Sequence, residues 1–292
     1  MIGRFLPWAP GPAAWNMAVD EALLTSYLQG TAPVTLRFYG WDPSALSLGY
    51  LQAPLSAARQ ARCRRAGVEW VRRPTGGRAV FHQHEITYAL VTGEREGFSG
   101  SVLADYQRIG SGLQRGFAHL GLSLEMVSGL RRGKGTRSED CFATPSWYEL
   151  TYQGKKMVGS AQLRRGKALL QHGSILLTYD HWFWREVWGE DPHPEAAGTA
   201  TLPEKGISLQ EALGALPDRA VVIAALCQGL SEVLGIDWEE GSLTAEERWL
   251  ADRLQREKYA NAGWNNRRGR REVAGGGICP ARKEEQADEG TT

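Results

Sequence analysis

Cysteine is scarce in this sequence and never clustered. Its 292 residues hold four, Cys63, Cys141, Cys227 and Cys279. No CxxC step and no Cys/His group stands at metal-ligand spacing, which excludes a zinc-ribbon or zinc-finger site. His82 and His84 have no third ligand spaced to help them, so no metal is expected. The opening MIGRFLPWAPGPAAWN lacks a basic segment running into an apolar one. Dispersed thiols behind such a start read as reduced cysteines of a cytoplasmic protein. Excess charge of either sign is also missing: 34 Lys and Arg against 33 Asp and Glu leave +1, which excludes nucleic-acid binding by bulk charge. No apolar run reaches the ~18 residues of a membrane-spanning helix. No repeat of fixed period is visible. What is present is ordinary globular composition, 42% hydrophobic and 23% charged, in a length suited to one large domain or two modest ones.

Periodicity predicts a first helix over 13–28, with Met17, Leu24 and Leu28 near one face and Asp20 and Glu21 on another. Strands follow at 34–39 and 46–50. Pro54 and Ser56 open a short basic helix that runs through Arg65 and ends at Gly67. The strand 68–73 leads through Pro74-Thr75-Gly76-Gly77 into 79–82, with 86–91 behind it, and 102–120 is a second long helix closed by Gly121. Residues 128–139, SGLRRGKGTRSE, carry four basic side chains and no apolar period, and read as an exposed mobile loop. Strands are expected at 147–152, 156–161, 168–171 and 174–178, with hairpin turns at Gln153-Gly154 and Arg165-Gly166. Helices close the pattern at 209–213, 220–234 and 244–259, the last with a capping box at Thr244-x-x-Glu247. This layout is α+β. Residues 266–292, with mixed charge, Gly275-Gly276-Gly277 and few large apolar side chains, read as a disordered tail behind a domain spanning 1–265.

Four segments could carry chemistry. In Arg72-Arg73-Pro74-Thr75-Gly76-Gly77-Arg78-Ala79-Val80-Phe81-His82, two glycines let backbone approach a ligand and flanking arginines offer guanidinium groups to a phosphate or carboxylate. A tight hairpin with surface arginines is the plainer reading. The loop has neither the Gly-Lys-Ser/Thr of a Walker loop nor GxGxxG spacing. Cys141 sits just past the basic stretch, where Lys and Arg lower a thiol pKa although Asp140 opposes them. A structural thiol is the competing reading there, as it is for Cys227 in its apolar helix. In Gly154-Lys155-Lys156-Met157-Val158-Gly159-Ser160-Ala161, strand alternation turns one lysine inward or leaves both on the surface after a turn. The small residues Gly159, Ser160 and Ala161 suit a narrow channel. Finally, His172-Gly173-Ser174 between apolar segments lines a pocket or is a satisfied histidine at a bulge. Trp184 and Trp188, with Trp182 nearby, share a helix face as core or as a lid.

Taken in order, RRPTGGRAVFH, CFATPSWYEL, GKKMVGSAQ and LLQHGSILL resemble the lipoate–protein ligase and octanoyltransferase superfamily. Trp15-Asn16-Met17-Ala18-Val19-Asp20-Glu21-Ala22 near the start fits the same pattern, as do Lys258-Tyr259 and Trp264-Asn265 near the end. The combination is most similar to the LipM-type octanoyltransferases. The resemblance implies the catalytic domain shared with biotin–protein ligases and related to class II aminoacyl-tRNA synthetases, a mixed and largely antiparallel sheet with helices outside. It implies transfer of an octanoyl group from octanoyl-acyl carrier protein to one lysine of a lipoyl domain, typically the glycine-cleavage H protein, with no cofactor. Cys141 then matches the nucleophile and Lys156 the active-site lysine. Arg73, Gly76, Gly77, Arg78, Ala79 and His82 would form one wall of the acyl channel, and Gly159, Ser160, Ala161, His172 and Gly173 another part.

Two departures separate the chain from the ATP-dependent ligases of that superfamily. Arg78 stands where their third glycine is, and His82 is followed by Gln83-His84-Glu85 where they carry His-Asp-x-Gly-Asn. An ATP-dependent lipoate ligase, a transferase between two lipoyl domains and a carrier-binding protein without catalysis are the rival expectations.

Overall fold

The computed structural model describes residues 1–98, 101–126, 149–189 and 206–267. In chain order its first elements are β1 (Ile2–Gly11), α1 (Ala13–Leu28), β2 (Thr35–Trp41), β3 (Ala45–Leu48), α2 (Ala57–Arg65), β4 (Glu69–Arg72), β5 (Val80–His82) and β6 (Glu85–Gly93). Then come α3 (Val102–His119), β7 (Glu125–Met126), β8 (Leu150–Tyr152), β9 (Lys155–Arg165), β10 (Ala168–Leu176) and α4 (His181–Trp188). The last are α5 (Leu209–Leu213), α6 (Arg219–Leu234), β11 (Asp237–Glu240), α7 (Ala245–Leu254) and α8 (Ala262–Asn265).

The strands form two sheets. The larger runs β11-β1-β2-β6-β10-β9-β8-β7, and the smaller β4-β3-β5. β1 pairs in parallel with β2 and β11, and the remaining pairs of the large sheet are antiparallel. Alternate residues of its central strands go to opposite faces, because successive side chains of a strand point to opposite sides. Leu36, Phe38, Tyr88 and Leu90 join Ile109, Leu113 and Phe117 of α3 and Val222, Leu226 and Leu230 of α6. Tyr39, Ala89 and Val91 pack instead with Met17, Leu23 and Leu24 of α1 and Ala251 of α7. A sheet covered on both faces needs apolar residues in both phases, so β10 is buried along its whole length. The α3–α6 crossing is close because it is glycine on glycine: a Cβ on Gly229 would strike the Gly116 backbone.

Several sequence expectations are modified. The helix over 13–28 has the expected bounds, yet Asp20 and Glu21 are buried and Leu28 is exposed. The two strands expected at 168–171 and 174–178 are one, β10, whose register with β6 and β9 is unbroken through His172 and Gly173, so no bulge lies there. β1 and β11 were not expected. Pro7 and Pro10 mask β1, and its register on β2 shifts between Leu6 and Ala9, where Pro7 lies. The Thr244 capping box forms, with Glu247 N–H donating to Thr244 Oγ1 at 3.1 Å. The helix behind it ends in a π turn at Gln255–Tyr259. Trp184 and Trp188 are core, packed with Leu46, Leu48, Cys63 and Phe81 on the outer face of the small sheet. No helix among the described residues is long and apolar enough to cross a membrane.

Candidate active site

The small sheet and the large one enclose a cavity. Its walls are Met17 from α1, Tyr39 and Trp41 from β2, Ser47 from β3 and Arg73 and Gly77 from the glycine loop. Val80 and His82 from β5, Thr87 from β6, Gly159 to Ala161 from β9 and His172 to Ser174 from β10 complete it. Arg73, Gly77, His82, Gly159, Ser160, Ala161, His172 and Gly173 are thus brought together from three separate stretches of sequence.

Gly76, Arg78 and Ala79 are not on that wall. Ala79 packs into the core of the small sheet's outer face. Gly76 and Arg78 offer backbone carbonyls that the Arg73 guanidinium grips, Nε to Gly76 O at 3.2 Å and Nη2 to Gly76 O and Arg78 O at 2.7 Å each. Arg73 Nη1 also donates to Ser47 O at 3.0 Å and Ser47 Oγ at 3.1 Å. Arg73 therefore shapes the glycine loop. Arg72 does comparable work behind it, donating to Gly49 O, Gln52 O and Asn265 O, while Trp264 Nε1 donates to Arg72 O. The Trp264-Asn265 motif is thus the clasp that seats β4.

Two buried imidazoles face the cavity, each between a carboxylate and a hydroxyl. His172 Nδ1 lies 2.9 Å from Asp20 Oδ2, and Nε2 lies 2.7 Å from Thr75 Oγ1. Asp20 also accepts from Arg37 Nη1 at 2.8 Å and Tyr39 OH at 2.9 Å. His82 Nδ1 lies 2.8 Å from Glu85 Oε1, and Nε2 lies 2.7 Å from Ser47 Oγ. Sequence reasoning named both histidines and missed Asp20, Glu85, Thr75 and Ser47 as their partners. The one signal was the Asp20-Glu21 pair, two adjacent carboxylates between the apolar runs of a helical stretch.

Burial pulls His172 below its ordinary value of 6.5 against the opposing pull of Asp20, and Arg73 and His82 add to the depression. The folded protein thus keeps this ring neutral at a pH where the unfolded chain has begun to protonate it. Its contribution to stability is complete above the unfolded value and declines as pH falls towards the folded one. The Tm should therefore drop as pH falls through and below the ordinary histidine value of about 6.5, and His172→Asn should flatten that slope in calorimetry. An unchanged slope would remove His172 as its source.

Gly173 pairs with Tyr88 of β6 and Ser160 of β9, and a Cβ there would sit 2.6 Å from Tyr88 Cε1, 2.7 Å from Ser160 Oγ and 2.9 Å from the Gly159 carbonyl. The backbone oxygen has little room to yield. Gly173→Ala should cost about 1–3 kcal/mol by overpacking and narrow the cavity, readable as a lower Tm and weaker substrate binding.

Of the two lysines, Lys155 is exposed and Lys156 is buried. Leu150 pairs with Val158 and Thr151 with Lys156, a register shift that leaves Met157 extra and interrupts simple alternation. Lys156 Nζ donates to Glu149, itself buried. Lys156 is not on the cavity wall, and Glu149 escaped the sequence reading. Cys141 lies outside the described residues, as do the basic stretch before it and Cys279. Burial pushes the Cys63 thiol up to about 11 and that of Cys227 up to about 12, so neither supplies thiolate at neutral pH.

The other two motifs meet at Glu21. Lys258 Nζ and Tyr259 OH donate to its Oε2 at 2.6 and 2.5 Å, and Arg165 to its Oε1 at 3.1 Å. Burial opposes ionisation of Glu21, but Lys258, Tyr259 and Arg165 outweigh it and hold the carboxyl below its ordinary value.

Residues 12–231 match the model of the lipoyl protein ligase A/B catalytic domain. Octanoyltransferase LipM of Kyrpidia tusciae is 41% identical over 271 residues, covering 91% of this chain and 98% of that protein. Octanoyltransferase LipM of Brevibacillus brevis is 40% identical over 272 residues, covering 87% and 95%. Among solved structures, the bi-partite lipoate protein ligase of Thermoplasma acidophilum, from a study that includes its E2 lipoyl domain, aligns with a TM-score of 0.74 at 25% identity, over 94% of this chain and 99% of that one. With its sheet order, glycine loop and paired histidines in place, the chain belongs to the lipoyl protein ligase A/B catalytic domain family and, within it, to the LipM octanoyltransferases.

Proposed function

We propose that this protein takes an octanoyl group from octanoyl-acyl carrier protein onto Cys141 as a thioester and passes it to one lysine of a lipoyl domain, the glycine-cleavage H protein being the expected acceptor. Octanoyl transfer as such goes with membership of the LipM octanoyltransferases, and makes the chain an acyltransferase of lipoate biosynthesis. The observation that carries the finer reading is the cavity walled by Gly159, Ser160, Ala161, Gly173 and Ser174, small residues that leave a slot beside the two fixed imidazoles of His82 and His172.

In this reading Cys141 attacks the carrier thioester and the phosphopantetheine thiol leaves. The acceptor amine then attacks the cysteine thioester. Lys156, paired with Glu149 off the cavity wall, supplies a cation that favours the Cys141 thiolate. The first exchange is nearly isoenergetic, and amide formation draws the sequence forward. Reduced thiols suit the cytoplasm. Intact mass after incubation with octanoyl-acyl carrier protein, without ATP, tests the reading. One added octanoyl group, removable by neutral hydroxylamine, is the expected result. Octanoylation of a lipoyl domain only with free octanoate and ATP would place the chain among the ligases instead.

A further inference from the structure

The hydrogen positions around His82 follow from groups whose roles are fixed. Arg73 Nη1 is a donor only, so at 3.1 Å Ser47 Oγ accepts from it and has its own proton to give elsewhere. The Glu85 carboxylate accepts only, and His82 Nδ1 at 2.8 Å must carry the hydrogen between them. His82 Nε2 is then the bare nitrogen, and Ser47 O–H donates to it at 2.7 Å. The carboxylate is fixed in turn: Thr87 Oγ1 donates to Glu85 Oε1 at 2.5 Å, Ser174 donates to Oε2, and Trp41 Nε1 donates to Thr87 Oγ1 at 2.8 Å. The Trp41 indole also stacks on the His82 ring, with centroids 3.9 Å apart and planes 13° apart. Hydroxyl, imidazole and carboxylate stand in the order and tautomer that activate a serine. Thr75 has a similar arrangement with His172 and Asp20 but does not reach the cavity, whereas Ser47 is on its wall.

The geometry points to Ser47 as a second nucleophile, giving the protein a hydrolytic activity on octanoyl thioesters and esters that is independent of Cys141. This rests on the reading that the cavity holds the acyl chain. Ser47 Oγ attacks the acyl carbonyl as its proton passes to His82 Nε2, and the fixed positive charge of Arg73, whose N–H groups stay on Ser47, Gly76 and Arg78, favours the developing oxyanion through space. The carbon–sulfur bond breaks and the thiolate leaves with the proton from Nε2. Water then attacks the Ser47 ester, giving its proton to Nε2. Octanoic acid departs and Ser47 recovers its hydrogen. The same imidazole serves both halves, and the serine ester, unlike the Cys141 thioester, resists neutral hydroxylamine. Such leakage would discharge donor that finds no acceptor.

The test uses full-length Cys141→Ala protein and p-nitrophenyl octanoate. Nitrophenol release is expected, and adding Ser47→Ala or His82→Ala should lower it about 100-fold or more. An alkyl fluorophosphonate should label Cys141→Ala protein once, on the peptide holding Ser47, with loss of fluoride. This labelling needs no change at Ser47 and decides the matter if the Ser47 variant does not fold. Label absent from Ser47, or hydrolysis undiminished in a folded Ser47→Ala variant, overturns the proposal. If the unmutated protein nevertheless gains an octanoyl group from the carrier, the acyl cavity stands and only Ser47 fails. If it gains neither octanoyl nor label, the cavity reading fails with it.

Discussion

Cys141→Ala should form no hydroxylamine-sensitive octanoyl adduct and should octanoylate a lipoyl domain at least about a thousandfold more slowly than the parent protein. A thousandfold corresponds to about 4 kcal/mol of barrier, ordinary for removing a covalent nucleophile. The expectation does not rest on Cys141 alone. Cys63 is buried among Leu46, Phe81 and Trp184, and Cys227 packs against the α3–α6 core. Burial raises both thiols far above neutral pH, so neither replaces the missing thiolate. The residual route through Ser47 ends in free octanoate, not in octanoylated lysine, and is distinguished by product. Transfer to the lipoyl domain at the parent rate by Cys141→Ala would mean that the lysine amine attacks the carrier thioester directly.

Lys156→Met should abolish transfer and also destabilise the fold. Lys156 and Glu149 are 1% and 2% exposed, and their ion pair is shielded from water. Removing one member strands a charge in a low-dielectric interior, at about 3–5 kcal/mol, which lowers Tm on the order of 10 °C in a chain of this size. Replacing the pair by apolar side chains is different, because no charge remains to be desolvated. Lys156→Met with Glu149→Leu should therefore recover most of the lost Tm. It should not recover transfer, since the cation is still missing. A double variant that regained both would leave Lys156 a structural residue, with catalysis assigned elsewhere.

The paired histidines show where sequence reading reaches its limit. His82 ends a short apolar strand after the glycine loop, and His172 lies in a long apolar one, so both stand out along the chain. What each histidine does depends on partners at other distances in sequence: Asp20 is 152 residues from His172, and Ser47 is 35 from His82. No local pattern encodes those encounters. They arise because β3 pairs with β5, and because α1 packs across the face of the large sheet that carries His172. The basic character of Arg73 likewise suggested a ligand contact, whereas the folded loop turns its guanidinium back onto the carbonyls of Gly76 and Arg78.

By itself the sequence determined the elements with strong period or punctuation: α1, the Ser56-capped α2, α3 up to Gly121, the β8–β9 and β9–β10 hairpins, and the α+β class. These follow from backbone and side-chain preferences that act within a few residues. It also determined the family, through the order of four motifs. Only the tertiary structure decided which lysine faces inward, that β10 is continuous, and that β1 and β11 join the large sheet. It also decided that Lys258, Tyr259 and Arg165 converge on the buried Glu21 carboxylate. Those outcomes turn on register and on the neutralisation of buried charge by residues far away in the chain. Both are settled by packing, because a buried polar group is stable only where another part of the chain completes its hydrogen bonds.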